Sequence, residues 1–317
     1  MGVPRASYPN RSVSTPTETA SPRPPARTHA ESAHPAASAR SSSAPSAPIV
    51  IEPSRGWRSL RLSEFWEFRE LLYFFVWRDI KVRYKQTAVG VLWALIQPIA
   101  LMIVFTVIFG HLIHIPHGKI PYPTLVYSGL ITWLLFASSL TQSSASIVTN
   151  QQLVSKVYLP RVLIPTAAVF SNIIDVAAAF VVLIGFMLYF GLVPGIALIT
   201  LPVWLALALV TALGMGLLLS ALNVKYRDVQ YTIPFLTQLW FFCTPVVYPL
   251  SIFPARFRTL VGINPMAGVV DGVRWSLFSS SHLHVGVVLF STGTALALLA
   301  VGLIYFRRSE RTFEDVM

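Results

Sequence analysis

Residues 233–245 read IPFLTQLWFFCTP, and the chain from there to residue 278 carries further prolines, arginines and one acid. These are Pro249, Pro254 and Pro265, Arg256, Arg258 and Arg274, and Asp271. A membrane-spanning helix needs roughly 20 apolar residues, and proline interrupts this stretch sooner. Broken backbone persists at membrane depth only where protein or a water-filled cavity covers it. The sequence therefore predicts one span followed by re-entrant helices around a pathway; a plain span followed by an extracellular amphipathic loop is the alternative.

The composition is that of an integral membrane protein. Hydrophobic residues make up 54% of the chain and charged residues 12%, and the mean hydropathy is +0.63. The net charge of +11 does not indicate nucleic-acid binding, because the basic residues cluster at the ends of apolar segments. Between residues 80 and 309 there are three acids, Asp175, Asp228 and Asp271, which is thin support for a proton relay. The single cysteine, Cys243, leaves the redox compartment undetermined.

Two segments precede the first span. Residues 1–60 are rich in Ser, Ala, Pro and Arg and are predicted to be a disordered cytoplasmic tail. Residues 63–85 are predicted to form an amphipathic helix with acids in its first turns and Arg78, Lys81, Arg83 and Lys85 at its end. Its apolar face, with Phe68, Leu72 and Phe75, is expected to lie in the headgroup plane.

Residues 61–317 are predicted to form one all-α membrane domain with six spans. The second span has a serine-rich second half that is too polar to face lipid, and the fourth contains Gly214 and Gly216, which permit close helix approach. Gln97-Pro98 predicts a kink in the first span. The spans cover residues 88–109, 124–148, 166–190, 196–222, 232–247 and 285–306.

The distribution of Lys and Arg places both termini in the cytoplasm. With the N-terminus inside, nine basic residues flank the spans on the inner side against four on the outer side. The inner ones are Lys81, Arg83, Lys85, Lys156, Arg161, Lys225, Arg227, Arg307 and Arg308, and the outer ones are Lys119, Arg256, Arg258 and Arg274. The inner loop after the second span predicts a short amphipathic helix over residues 150–158, stopped by Pro160, which is a natural contact for a soluble partner.

Candidate chemistry on the chain is sparse. No Gly-rich loop ending in Gly-Lys-Ser/Thr is present, so nucleotide hydrolysis is not expected here. His111, His114 and His117 are spaced three apart, but Pro116 interrupts them, and exposed loop histidines are favoured over a metal site. Asp175 has no basic residue near it in sequence, which favours a structural hydrogen bond over a proton carrier.

Aromatic residues are concentrated around the fifth span. Some of them suit the membrane interface, but Trp240, Phe241 and Phe242 fall in mid-span, where a headgroup belt has no use for them. A lining of aromatic rings with hydroxyls from the second span suits a sliding glycan. The predicted lining residues are Phe235, Trp240, Phe241, Phe242, Tyr248 and Ser143.

Several motifs resemble the membrane subunit of ABC-type polysaccharide and polyol-phosphate exporters. Residues 77–87 read WRDIKVRYKQT and residues 90–98 read GVLWALIQP; KYRD at 225–228, TPVVYP at 244–249 and NP at 264–265 follow in order. The resemblance extends from about residue 62 to residue 308. It implies a homodimer of six-span subunits in the bacterial cytoplasmic membrane that exports a lipid-linked O-antigen, teichoic acid or galactan-class polymer.

The resemblance also implies roles for named segments. Residues 67–85 match a gate helix, where Arg78, Lys81, Arg83 and Lys85 would meet the anionic lipid headgroup. Residues 150–158 match a coupling helix, in which Gln151, Leu153, Lys156 and Tyr158 would contact the ATPase. Residues 249–278 match the outer re-entrant helices. Expected partners are a second copy, two copies of a cytoplasmic ABC ATPase, membrane lipids and the polymer. ATP and Mg would bind to the ATPase, with no cofactor on this chain.

Other functions stay open at this stage. A membrane-embedded enzyme acting on lipid-linked glycans would need an acid or base near the surface, and Asp271 with Arg274 is the outer candidate. An exporter of the same architecture could carry a drug or a lipid. A secondary flippase is disfavoured because the sequence shows no internal repeat.

Overall fold

The computed structural model describes residues 68–85, 90–116, 118, 120–156, 159–278, 281–310 and 313. The predicted tail (residues 1–60) and the start of the predicted amphipathic helix lie outside these residues. All regular secondary structure in the described ranges is helical. The α-helices are α1 Arg69–Lys85, α2 Gly90–Phe105, α3 Tyr122–Thr149, α4 Gln151–Lys156, α5 Leu163–Phe170, α6 Ile173–Tyr189, α7 Leu201–Lys225, α8 Val229–Cys243, α9 Ala255–Val261, α10 Pro265–Leu277 and α11 Val285–Ser309.

Five segments are long and apolar enough to cross a membrane. They are Leu95–Leu112, Tyr122–Thr149, Leu163–Tyr189, Ile196–Lys225 and Val285–Ser309. The all-α membrane class is therefore confirmed, and five of the six predicted spans correspond to these candidate spans. The predicted fifth span, residues 232–247, corresponds to α8, which begins and ends three to four residues earlier; its 15 residues give about 22 Å against roughly 30 Å of hydrocarbon.

Local sequence explains where α8 and α10 begin and end. Pro245 disfavours helical geometry at Thr244, which is extended (φ −102°, ψ 137°), so α8 ends at Cys243. Asn264 caps α10 by accepting a hydrogen bond from the Met266 amide at 3.0 Å, and Pro265 occupies the first helical position. In the first span, α2 continues through Pro98 and then widens into a π-helix, Thr106–Leu112.

Helix α3 is the centre of the fold, and 78% of its most apolar 18-residue stretch is buried in the protein. Four serines of its predicted polar half are buried in the protein, whereas Thr141 is exposed; the buried serines are Ser139, Ser143, Ser144 and Ser146. Two of these hydroxyls donate to carbonyls of their own helix: Ser144 to Thr141 and Ser146 to Ser143, both at 2.7 Å.

Small residues set the distances between α7 and its neighbours, as the sequence predicted. A Cβ built on Gly214 would lie 2.5 Å from the Leu299 amide of α11, and one on Gly302 of α11 would lie 2.0 Å from the Gly214 carbonyl oxygen. A Cβ on Gly216 would lie 2.5 Å from the Ser143 hydroxyl of α3. These glycines therefore allow direct backbone contact where the helices cross.

Helix α1 packs part of its apolar face on the protein, and its place in the headgroup plane stays a prediction. Phe75 is buried, Phe68 and Leu72 are half-buried, and Tyr73 and Phe74 are exposed. Phe75 belongs to a cluster that we name the inner core. The inner core is Phe75, Ile147, Val154, Leu159, Val162, Ile164, Ala167, Leu217, Ala221, Val224, Phe306 and Phe313. Burying the apolar face in this core stabilises α1 against the ends of the spans.

Candidate functional site

The third span is interrupted at the level of the end of α1. Helix α5 ends at Phe170 and α6 begins at Ile173, with Ser171 and Asn172 in a turn between them. The break leaves the Asn172 side chain outside any cap, although its amide nitrogen donates to the Ala168 carbonyl at 2.8 Å. Asp175 follows in the first turn of α6. Three polar side chains are thereby presented together from one interrupted span.

Arg83 lies against this break and donates to four acceptors. Its Nη1 contacts Asn172 Oδ1 at 3.2 Å and also Asp175 Oδ2, and its Nη2 contacts Ser171 Oγ at 3.1 Å and also Gln142 Oε1. Gln142 completes the set by donating to Asn172 Oδ1 at 2.9 Å. We name this group, with Tyr84, the entrance cluster. It consists of Arg83, Tyr84, Gln142, Ser171, Asn172 and Asp175.

Asp175 has a basic partner in the structure, although none lies near it in sequence. Asp175 forms an ion pair with Arg83, which is 92 residues away in sequence, and it accepts a hydrogen bond from the Tyr84 hydroxyl. The side chains of Arg83 and Asp175 are 27% and 24% exposed. The pair is therefore partly shielded from solvent, and its attraction is less screened than that of a surface pair.

Arg78 connects α1 to the loop that follows α3. Its Nη2 donates to Asn150 Oδ1 at 3.0 Å, and its Nε and Nη2 contact Asp79 Oδ1 at 3.0 and 2.9 Å. Asn150 immediately precedes α4. The Arg78 guanidinium also lies 5.1 Å from the centre of the Phe75 ring, so both inner-core packing and a hydrogen bond join α1 to the α4 region.

The two lysines of α1, Lys81 and Lys85, differ from Arg78 and Arg83 in their surroundings. Lys81 and Lys85 are exposed, and Lys81 Nζ lies 5.2 Å from the Trp77 ring centre. A lysine ammonium is a compact, strongly hydrated charge, whereas a guanidinium suits several simultaneous planar hydrogen bonds. Of the four cations predicted to act together, Arg78 and Arg83 bind protein acceptors, whereas Lys81 and Lys85 are exposed.

The predicted inner-loop helix is confirmed as α4, which covers Gln151–Lys156 among the described residues. Gln151 and Leu153 are half-buried and Lys156 is exposed, while Tyr158 lies outside the described residues. Val154, which the sequence did not single out, is buried in the inner core together with Phe75. Helix α4 therefore packs on the same core as α1.

The predicted lining residues lie in different environments. Phe235 and Phe242 are exposed and Tyr248 is half-buried, whereas Ser143 is buried against Gly216. Phe241 is also buried; it stacks on Phe105 with ring centres 5.8 Å apart and meets Trp133 edge-on with ring centres 5.6 Å apart. Within the protomer, Phe241 and Ser143 therefore serve packing.

Trp240 is half-buried and oriented by two contacts. Its indole Nε1 donates to Asn264 Oδ1 at 2.9 Å, and its ring lies 5.0 Å from that of Phe136 in an edge-on arrangement. Asn264 is the cap of α10, so Trp240 connects α8 to the segment that follows the proline break. No sequence motif indicates this hydrogen bond.

Arg274 holds the broken backbone after α8. Its guanidinium donates to the carbonyls of Pro245 at 2.9 Å, Tyr248 at 3.0 Å and Leu125 at 3.2 Å, and also to that of Val246. Burial lowers the pKa of Arg274 to about 10, so the group remains a cation at neutral pH. Carbonyl acceptors carry no sequence signature, which is why this role was missed.

Asp271 pairs with His284. Its Oδ2 accepts a hydrogen bond from the His284 amide at 3.0 Å, and the imidazole Nδ1 lies 3.1 Å from the same oxygen. The carboxylate therefore joins α10 to the start of α11. With Asp271 and Arg274 both engaged in these contacts, the geometry gives no support to the acid–base pair that a membrane-embedded enzyme would require.

The outer histidines are separated by local structure. His111 lies in the π-helix with its Nδ1 3.2 Å from the Thr106 carbonyl. His114 is exposed and has a positive φ of 57°, and His117 lies outside the described residues. In the ranges that the structure covers, no three His, Cys, Asp or Glu side chains form a possible metal site.

A helical membrane domain that lacks a phosphate-binding loop and has a short helix on the loop between two spans is typical of a transporter's membrane subunit. The chain belongs to the ABC-2 type transporter membrane family, whose match covers residues 70–278. This confirms the family resemblance inferred from the sequence motifs.

Characterised relatives match the chain along most of their length. It is 27% identical to an O-antigen export system permease protein, RfbA, of Klebsiella pneumoniae, over 78% of this chain and 95% of the relative. It is 29% identical to the RfbA protein of Myxococcus xanthus, over 80% of this chain and 94% of the relative. It is 27% identical to the polysialic acid transport protein KpsM of Escherichia coli, over 74% of this chain and 91% of the relative.

Proposed function

We propose that this chain is the permease subunit of an ATP-driven exporter that moves a lipid-linked polysaccharide across the bacterial cytoplasmic membrane. The observation that carries the proposal is the match to O-antigen export permeases over 94–95% of their own length. The helical fold and the absence of a phosphate-binding loop from the sequence agree with a transport subunit that depends on a separate ATPase. The polymer class is O-antigen, teichoic acid or galactan.

The proposed assembly is a homodimer of six-span subunits with both termini in the cytoplasm. Helix α8 is the remaining span, and α9 and α10 re-enter the membrane on the outer side. Support comes from α10, which is buried along nearly its whole length, and from Arg274, which satisfies carbonyls of the non-helical segment before it. Such satisfaction is what irregular backbone requires at membrane depth.

The face that meets the second copy is proposed to include the first span and α8. The window Leu95–Leu112 is 11% buried, the lowest value among the five spans. Helix α8 exposes Phe235, Leu239 and Phe242. A tunnel between the copies would be lined by the exposed Phe235 and Phe242 and the half-buried Trp240 and Tyr248, while Phe241 and Ser143 support them from inside the protomer.

The proposed docking element for the ATPase is α4. Two copies of the ATPase, with ATP and Mg bound to them, would contact Gln151, Leu153, Lys156 and Tyr158. Because α4 and α1 share the inner core, a push on α4 would be transmitted to α1.

The proposed headgroup-binding cations are the exposed lysines of α1. Lys81 and Lys85 point away from the protein, whereas Arg78 and Arg83 already donate to protein acceptors. A cation near an anionic surface contributes about 1 kcal/mol of attraction. The lysines therefore supply the first contact with the lipid-phosphate end of the substrate.

Deletion of the gene tests the proposed function directly. We expect the deletion strain to synthesise its surface polysaccharide normally but to retain it inside the cell, and the restored gene to return it to the surface. Failure to synthesise the polymer would instead identify an enzyme of glycan assembly. Normal polymer at the surface, with loss of drug or lipid efflux, would identify a different cargo.

The energy source is tested with purified protein. In sealed vesicles, the complex with its ATPase is expected to transport polymer on addition of ATP, and the permease alone is not expected to do so on a proton gradient. Transport by the permease alone would refute the dependence on a partner ATPase.

A further inference from the structure

Within the entrance cluster, both carboxylate oxygens of Asp175 bind to side chains of α1. Each of its carboxylate oxygens has a partner on α1: Oδ2 accepts from Arg83 and Oδ1 accepts from Tyr84. No other side-chain hydrogen bond to Asp175 occurs among the described residues. The one acid within the five spans is thus committed to the last turn of α1.

The other members of the cluster complete the coordination of Arg83 without adding charge. Gln142 comes from α3, and Ser171 and Asn172 come from the turn that breaks the third span. Ser171 and Asn172 are buried. A partly shielded guanidinium needs a counter-ion as well as neutral acceptors, because burying a charge that lacks a partner is costly. Asp175 is the carboxylate that meets this need.

The position of the cluster gives it mechanical importance. Arg83 and Tyr84 are in the last turn of α1, and α2 of the first span begins at Gly90. At the other contact, Arg78 donates to Asn150 immediately before α4. Helix α1 is therefore attached at one point to the loop that carries α4 and at another to the second and third spans.

We infer that Asp175 is a positioning residue for export: it fixes the end of α1 at the entrance through Arg83 and Tyr84, so that movement of α4 changes the entrance geometry. The inference rests on the proposed function, because it assigns to α1 and α4 the roles proposed above. Asp175 acts through α1 and does not contact the polymer. Its commitment to two α1 side chains also distinguishes it from a proton carrier, which must exchange partners.

The experiment compares point variants in the deletion strain and in purified complexes. Asp175→Asn keeps the shape of the side chain and removes its charge. We expect export to fall at least about tenfold, because Arg83 loses its counter-ion, while membrane abundance and co-purification of the ATPase remain within about twofold of the unmodified protein. ATP hydrolysis should continue, so polymer exported per ATP hydrolysed should fall as well.

Matched variants separate positioning from folding. Asp228→Asn removes an exposed acid before α8 and should leave export unchanged. Tyr84→Phe removes one hydrogen bond and keeps the ion pair, so the loss should be smaller, about two- to fivefold. The double variant Arg83→Asp with Asp175→Arg restores opposite charges and should recover part of the export lost in Asp175→Asn.

The outcomes distinguish this inference from the proposed function. If the unmodified gene fails to restore export in the deletion strain, the proposed function is wrong. If it restores export and Asp175→Asn does so equally well, the positioning role alone is overturned. If Asp175→Asn fails to assemble, Tyr84→Phe and Arg83→Lys decide: reduced polymer per ATP in assembled complexes supports the inference, and unchanged values overturn it.

Discussion

Replacing Arg274 with methionine should destabilise the non-helical segment between α8 and α9. Methionine fills a comparable volume but cannot donate, so four carbonyl oxygens lose a charged donor: those of Leu125, Pro245, Val246 and Tyr248. An unsatisfied buried acceptor costs about 1–3 kcal/mol, and part of this is recovered when the segment relaxes. Removing the buried cation also removes the cost of desolvating it, which offsets a further part of the loss. We expect a net loss of about 4 kcal/mol in the free energy of unfolding.

Thermal unfolding of the purified protein in detergent measures this loss. At roughly 2–4 °C per kcal/mol, the midpoint should fall by about 8–16 °C. Hydrogen exchange should locate the change, with faster amide exchange in residues 246–253 than in α3. Arg256→Met is the matched control, because Arg256 is exposed and contacts Phe257 with its guanidinium carbon 4.7 Å from the ring centre. That variant should lose no more than about 1 kcal/mol.

Two results would contradict the reasoning about Arg274. One is an unfolding midpoint for Arg274→Met equal to that of Arg256→Met. The other is an unchanged exchange rate in residues 246–253 despite a lower midpoint, which would mean that Arg274 stabilises the fold elsewhere.

Three further sets of substitutions test the fold and the proposed pathway. Gly302→Ala places a methyl group against the backbone of α7 and should lower the free energy of unfolding by about 1–3 kcal/mol, whereas Gly293→Ala, with open space around it, should not; equal stability of the two would refute the close helix contact. Lys81→Ala and Lys85→Ala should each reduce export about fivefold with normal assembly, and unchanged export in the double variant would remove the headgroup role. Trp240→Ala should impair export while the dimer forms, but Trp240→Phe should retain most of it because a ring remains; an equal loss in both would assign the effect to the indole hydrogen bond.

The features that sequence predicted well depend on properties of single helices. Hydropathy alone located five spans, and the serines of the second span and the glycines of the fourth indicated which faces are buried. Each inference needs only the composition and period of one segment. The end of the fifth span was predicted four residues too late, at residue 247, because Pro245 disfavours helical geometry at Thr244 and α8 ends at Cys243.

The features that sequence missed depend on contacts between distant segments. Arg83 and Asp175 are separated by 92 positions, and their pairing depends on how α1 packs and on the break in the third span. Arg274 donates to backbone carbonyls, which every residue has and which no motif reveals. The division of the four cations of α1 has the same origin, since their roles follow from what lies opposite each side chain.

The interruption at Ser171 and Asn172 divides the third span into two helices, α5 and α6, which we call its inner and outer arms. The inner arm, α5, contributes Ile164 and Ala167 to the inner core, and the outer arm, α6, carries Asp175. An uninterrupted helix would transmit any tilt of its cytoplasmic end across the full membrane, because its hydrogen bonds make it stiff. With the proposed cytoplasmic orientation, we expect this break to let α5 tilt with the cytoplasmic elements without an equal tilt of α6, so that movement at the inner leaflet need not open a leak at the outer one.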